Sequence, residues 1–360
     1  MENYTVRPKK CKQVKGQKKG FFRRIREAMI PMRGDSTLEI IRKFVFMGAL
    51  VAFIITGGSL LYDVGTEMYQ IHIKNNQIHQ LRLEGNLNLS DEEISIIENE
   101  VPGILPEFMS LYNTNSDLVG WIKVGELIDY PVVQGEDNSH YLSTTFDGGS
   151  AKSGTIFADY RNVFTPTEIS DNTILFGHNM YTSTMFSKLT RYYYDTDGLG
   201  AEGVDPRLSF YTKYPVIEFD TLYEKSQWKV FAVGIYNTDP NDGEVFDYIT
   251  KQNFTDADDF NNYILEIMDR SAIFTDVDLQ YGDKILTLST CYLILNRTET
   301  IRCVIFARKV RDGESAEVDV SKATVNYNRR LFQHEVDCGV GNAWNGVRTW
   351  DTSKLIGYQS

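Results

Sequence analysis

The alternation of apolar and polar positions changes period along the chain, and each change marks an element. Residues 44–62, FVFMGALVAFIITGGSLLY, form a 19-residue run without a charge, bounded by Arg42-Lys43 and Asp63. As a helix this run spans about 28 Å, close to the roughly 30 Å hydrocarbon core of a bilayer, so one transmembrane helix is expected. From Asp63 to about Glu84 the residues are polar and helix-compatible, and they read as a stalk. A second helix starts at Ser90-Asp-Glu-Glu93, where the Ser90 hydroxyl and the Glu93 carboxylate can each satisfy an orphan amide. Pro102-Gly103 ends it, and Pro106 suits the first turn of a short helix through PEFMSLYN.

From Leu118 the period becomes two. LVGWIKV, DYPVVQ, GTIFADY, NTILFGHNM, PVIEFDTLY, WKVFAVGIYN, KILTLSTC and TIRCVIFARKV are short β-branched and aromatic runs separated by Gly, Asn and Asp turns. Eight such strands with mostly short connections predict a mainly β fold, a closed eight-stranded barrel. One helical interruption, DADDFNNYILEIMDRSA, places Phe260, Tyr263, Ile264 and Ile267 at helical spacing and should pack on the barrel ahead of the Cys291 strand. After Val310 the pattern weakens, and whether the end of the chain packs on the barrel or hangs free is left open. The expected organisation is a basic segment over 1–43, an anchor over 44–62, stalk and N-terminal helices over 63–112, a barrel over 113–320 and an extension over 321–360.

Charge changes the picture at the N-terminus. Residues 1–43 carry 13 Lys/Arg against 4 Asp/Glu, about +9, and the remaining 317 carry 24 against 45, about −21. A basic block just before an apolar span reads as a cytoplasmic flank touching anionic lipid rather than a nucleic-acid arm. The expected topology is a single-pass cell-membrane protein, N-terminus in the cytoplasm, acidic remainder on the outer face. A cleaved signal peptide would need a shorter apolar core and a small-residue cleavage site, for which TGGSLLYD is a poor candidate. With Cys11 on the cytoplasmic side, Cys291, Cys303 and Cys338 lie outside, an odd number that leaves at least one free thiol.

Two cysteines sit in the last pair of strands. In LTLSTC, Leu286, Leu288 and Thr290 face one way while Thr287, Ser289 and Cys291 face the other. Cys291 therefore shares a face with hydroxyls, which fits a nucleophile, although burial as a small apolar side chain is the commoner fate of a free cysteine. A nucleophilic thiolate needs a base or a positive neighbour. His72 and His79 read as solvated stalk residues, His140 as an exposed turn residue and His334 as part of the extension. His178 ends an apolar strand just after Gly177, at a barrel rim, where it is either a base or a hydrogen-bonded loop residue. If 284–291 and 300–310 pair antiparallel around a turn near Leu293–Thr298, Arg302 lies close to Cys291, while Arg308 is about 20 Å further on and reads as a surface residue. Arg297, in the turn, is a weaker competitor. No metal-ligand spacing and no phosphate-binding glycine loop is present, so no metal and no cofactor is expected.

These residues together resemble a class B sortase, a membrane-anchored cysteine transpeptidase of Gram-positive cell walls. The resemblance rests on LYNTNSDLVGWIKV, IDYPVVQGEDNSHYL, SGTIFADYRN, NTILFGHNM, WKVFAVGIYNTD and LTLSTC followed by IRCVIFARKV, and covers roughly Asn113 to Val310. It implies the sortase barrel with N-terminal helices and the extra helix before the cysteine strand. It also implies His178, Cys291 and Arg302 as catalytic residues, with Asn179, Ser289 and Thr290 as substrate-binding candidates. The implied reaction is cleavage of an LPxTG-like or NPxTx-like sorting signal on a surface protein. The acyl group then passes to an amine of a lipid-linked peptidoglycan precursor or to a pilin lysine. A monomer without nucleic-acid partners is expected. The sequence departs from the pattern where Tyr292 and Leu293 follow the cysteine, leaving no carboxylate there to assist His178. The residues alone also admit a membrane-anchored cysteine protease that only hydrolyses, or an inactive surface binding module.

Overall fold

The computed structural model describes residues 25–26, 28–292 and 300–358, and the chain divides into two units between Ile73 and Lys74. In the first unit, Cys11 and most of the basic segment lie outside the described residues. The helix α1 (Thr37–Glu84) carries the apolar run, and among the described residues it is the helix long and apolar enough to cross a membrane. Phe44, Phe53, Ile54, Ile55, Leu60 and Leu61 are all exposed on it.

The second unit starts with the last turns of α1. The capping box is formed: Ser90 accepts from the Glu93 amide at 3.3 Å and donates its own amide to Glu93 at 2.8 Å, opening α2 (Asp91–Glu100). Gly103, at φ +83°, turns the chain after it, a conformation in which a Cβ would be strained. Pro106 begins a short 3-10 turn that runs into α3 (Met109–Thr114).

All eight strands read from the alternation form, and they close one barrel. The first six are β1 (Leu118–Val124), β2 (Ile128–Val133), β3 (Ile156–Ala158), β4 (Asn172–Phe176), β5 (Val216–Thr221) and β6 (Gln227–Asn237). Two short strands outside the barrel, β7 (Ile273–Phe274) and β8 (Leu279–Gln280), precede its last pair, β9 (Ile285–Cys291) and β10 (Ile301–Lys309). Around the barrel the order is β1-β2-β3-β4-β9-β10-β6-β5, with β2–β3 and β4–β9 parallel. Inward residues such as Ile122, Leu175, Leu286, Leu288, Cys303 and Ile305 make the interior core. A bulge opposite Phe306–Ala307 adds Phe231 to β6, which resets the alternation so that both Val230 and Val233 point inward.

Two features of this unit were not read from the pattern, and the first is the β4–β5 connection. It contains a 3-10 turn, Ser187–Tyr192, and α4 (Ser209–Lys213), and sends Phe186, Leu189, Tyr192 and Phe210 into the interior core.

The helix α5 (Ala257–Arg270), capped by Asp256, lies on the outer face of the sheet. Its Phe260, Tyr263, Ile264 and Ile267 are buried against Phe231, Ile285, Val304 and Phe306 in a second core. A side chain buried to this degree contributes about 1.5–3 kcal/mol relative to its exposed state, so the helix is held mainly by its apolar face.

The second unread feature is the extension, which is packed rather than free. Its β11 (Thr324–Val325) pairs with β7, and β12 (Leu355–Ile356) pairs with β8. Trp350 and Leu355 join the second core, and the short α6 (Gln333–Asp337) is tied down by a buried Arg329–Glu335 pair.

Candidate active site

Cys291 is the last residue of β9, and Arg302 is its direct partner in the antiparallel ladder with β10. Residues so opposed carry their Cβ atoms about 5 Å apart on one face. On the other side of β9 runs β4, in parallel register with Phe176 level with Ser289. Continued two residues, that register brings His178 level with Cys291, and alternation puts both on the outer face with Arg302. Two bonds fasten the strand ends: the Thr290 hydroxyl donates to the Gly177 carbonyl at 2.7 Å, and the Asn179 amide donates to the Cys291 carbonyl at 2.9 Å.

Gly177 allows His178 its place. A Cβ at 177 would stand 2.8 Å from the Phe186 ring, closer than real Cβ contacts come. The loop beyond returns at once, with Asn179 bridging Met185, Phe186 donating its amide to the His178 carbonyl, and Ser183 and Met185 in the left-handed region. His178 Nε2 lies 2.9 Å from the Leu142 carbonyl. A carbonyl only accepts, so Nε2 carries the hydrogen and Nδ1 is the ring atom left for proton exchange. A backbone carbonyl thereby orients the ring, where Tyr292 and Leu293 stand immediately after Cys291 in place of a carboxylate.

Cys291 and Arg302 are both partly exposed. Arg302 donates to the Ile301 carbonyl at 3.1 Å. Beneath them Ser289 is buried, 2.8 Å from the Tyr248 hydroxyl. Burial pushes the Tyr248 phenol up to about 12, so it stays protonated at neutral pH. Among the substrate-binding candidates, the Ser289 and Thr290 hydroxyls are therefore engaged inside the protein, while Asn179 stays exposed.

The other candidates separate cleanly. Cys303, one residue past Arg302 on the inward face, is fully buried, and desolvation pushes its thiol well above the usual range. Cys338 is exposed and, like the other two, unbridged. Arg308 is not at the surface: its side chain is fully buried and held by Glu314 at 2.7 Å and Asp278 at 3.2 Å. His79 is not simply solvated either, since its ring meets Trp121 edge-on at 5.1 Å and its Nε2 lies 3.1 Å from the Asp129 carbonyl. His140 is exposed as expected. Arg297 and Leu293 lie outside the described residues. Leu142 and Tyr248 went unseen in the sequence, because a backbone acceptor leaves no residue-type signal and Tyr248 sits in an aperiodic loop.

Known proteins resemble this chain over the barrel. A family model described as the sortase domain matches residues 123–310, a little over half of the chain. The chain is 36% identical over 209 residues to sortase B of Staphylococcus aureus, covering 58% of this chain and 76% of the relative. It is 30% identical over 251 residues to sortase B of Listeria monocytogenes, covering 68% and 90%. Among solved structures, a Staphylococcus aureus sortase B–substrate complex superposes with a TM-score of 0.52 at 30% identity, covering 68% of this chain and 99% of that one. A sortase B complexed with triglycine superposes with a TM-score of 0.51 at 29% identity, covering 67% and 98%. With β2 to β10, the helix laid over the barrel and the Cys291 strand end all within residues 123–310, the chain belongs to the sortase family of cysteine transpeptidases, in its class B branch.

Proposed function

We propose that this protein cleaves the C-terminal sorting signal of a surface protein, LPxTG-like or NPxTx-like, and joins the freed carbonyl to an amine of a cell-wall precursor or a pilin lysine. The observation that carries this reading is Arg302 directly opposite Cys291, with His178 two residues past the end of β4, the strand on the other side of β9. The Cys291 thiolate attacks the threonine carbonyl. The C–N bond breaks, and His178 Nδ1 delivers the proton to the leaving amine. The incoming amine then attacks the thioester, the C–S bond breaks, and the amine's proton passes to His178. Arg302 donates hydrogen bonds to the carbonyl oxygen as negative charge develops on it. The structures of relatives holding a substrate and triglycine support a peptide donor and an amine acceptor.

The anchor fits this chemistry. With the basic flank in the cytoplasm, the apolar part of α1 across the bilayer and the barrel outside, donor and lipid-linked acceptor are confined to one surface, which raises their effective concentration.

The test is incubation with labelled sorting peptides, with and without triglycine, read by mass spectrometry. The expected products are a peptide–triglycine adduct in the wild type and neither adduct nor thioester in Cys291→Ala. Hydrolysis without adduct would instead make the protein a protease, and turnover by Cys291→Ala would remove the cysteine from the mechanism.

A further inference from the structure

A cavity of about 480 Å³, well within the size range of small-ligand sites, opens between the β4–β5 connection and the extension. Tyr193, Tyr194 and Arg207 form one wall, and Tyr327, Arg329 and Trp344 the other. The cavity lies near the strand end that carries Cys291: the Tyr193 ring meets Tyr292, the residue after Cys291, edge-on at 5.6 Å.

Charge decides what the cavity can hold. Arg207 is paired through two of its nitrogens with Asp205, and Arg329 with Glu335 at 2.6 and 3.1 Å. Each guanidinium also donates to a wall tyrosine, Arg207 to Tyr327 at 3.0 Å and Arg329 to Tyr193 at 2.8 Å. Arg330, stacked on the Trp344 ring at 5.3 Å, is itself paired with Glu244 and Glu266. The positive charges at these walls are thus all neutralised within the protein, so an anion gains no unpaired cation here.

What remains is neutral and of mixed character. Tyr327 is 80% exposed, with Arg207 over its ring at 4.9 Å, and Trp344 is half-buried. The Asn342 and Asn345 amides also line the cavity. Flat rings with a polar rim suit a molecule with apolar C–H faces and a girdle of hydroxyl and amide groups. We infer that this cavity binds an uncharged N-acetylated saccharide carried by the amine-bearing acceptor, so that the extension guides the acceptor toward the Cys291 thioester. The inference rests on the proposed transpeptidase function for the identity of the sugar's bearer, but not for the binding itself.

The full chain, in a detergent without a sugar head group, is titrated with chitotriose while tryptophan fluorescence is followed. Trp121 and Trp228 are fully buried and Trp350 nearly so, which leaves Trp344 as the reporter. Saturable binding is expected in the wild type and at least about tenfold weaker binding in Tyr327→Ala, at a side chain that the core does not bury. The KM for triglycine linked to chitotriose should be about tenfold below that for triglycine alone, at unchanged kcat, and the gap should close in Tyr327→Ala and Trp344→Ala. Absence of chitotriose binding, undiminished binding in Tyr327→Ala, preferential binding of inorganic phosphate, or saturation by the neutral peptide acetyl-Ala-Ala-amide instead of chitotriose would each overturn the inference. Failure to form any triglycine adduct would overturn the proposed function alone, because the fluorescence titration reads the cavity without it.

Discussion

Arg302 and Cys291 occupy one rung of the β9–β10 ladder, so the arginine's position relative to the thiol is set by backbone pairing rather than by a flexible loop. A lysine there keeps the charge but loses the planar fork that reaches a developing oxyanion. Arg302→Lys is expected to lower kcat by about 10²–10³-fold with little change in KM, the usual cost of losing one oxyanion donor, as measured by steady-state peptide cleavage. Tyr248→Phe removes the hydroxyl beside Ser289. Its expected cost is about 1 kcal/mol of stability in urea denaturation, the net worth of one buried hydrogen bond. That Cys291 and Cys303 face opposite ways was readable from alternation, since partners in a ladder share a face and the residue after Arg302 points to the other one. The Leu142 carbonyl on His178 was not readable, because it comes from a loop far away in sequence and is made by backbone alone.

Among the elements, β10 holds the clearest correction. Spacing along the strand put Arg308 far from Cys291, which is right, but gave no sign that the far end of the strand is covered. Glu314 and Asp278 close over it, and Arg308, with Lys229 and the Arg311 amide also bonded to Glu314, holds the Glu314 carboxyl far below its usual range. A carboxylate depressed in this way adds stability that is complete above its ordinary pKa of about 4.3 and is lost as pH falls below that value. Glu314→Gln leaves the buried guanidinium with the Asp278 carboxylate and the Lys309 carbonyl. It should destabilise by about 3 kcal/mol at pH 7, and the difference from wild type should shrink on going to pH 3, both read from urea midpoints. The helix α5 illustrates the opposite case. Its apolar spacing and its packing on the barrel were legible, because amphipathic period is a local property, while its Asp256 cap emerged with the structure.

At the scale of the whole molecule, the extension is part of the folded unit. Trp350 is 7% and Leu355 1% exposed in the core beneath α5, and β11 and β12 add their pairing. A chain ending at residue 320 should therefore lose about 4 kcal/mol or more, from the burial of those two side chains alone, seen as a lower urea midpoint. At the other end, a chain beginning at residue 63 should be soluble without detergent and retain peptide cleavage. A precipitated product would make the apolar run part of the fold rather than an anchor.

The sequence by itself determined what depends on neighbours in the chain: the apolar span, the helix capped at Ser90, the amphipathic helix α5, the eight strands, and the face on which each residue of β9 and β10 lies. These follow from period and propensity, which act over a few residues. Beyond the β9–β10 hairpin, only the tertiary structure decided which strands are adjacent, and so brought the end of β4 that precedes His178 beside the end of β9, 113 residues apart at the Thr290–Gly177 bond. It alone seated the β4–β5 connection in the barrel, covered Arg308, and folded an aperiodic extension against Tyr193. Those outcomes come from packing and charge pairing between distant segments, and no local pattern in either partner encodes the meeting.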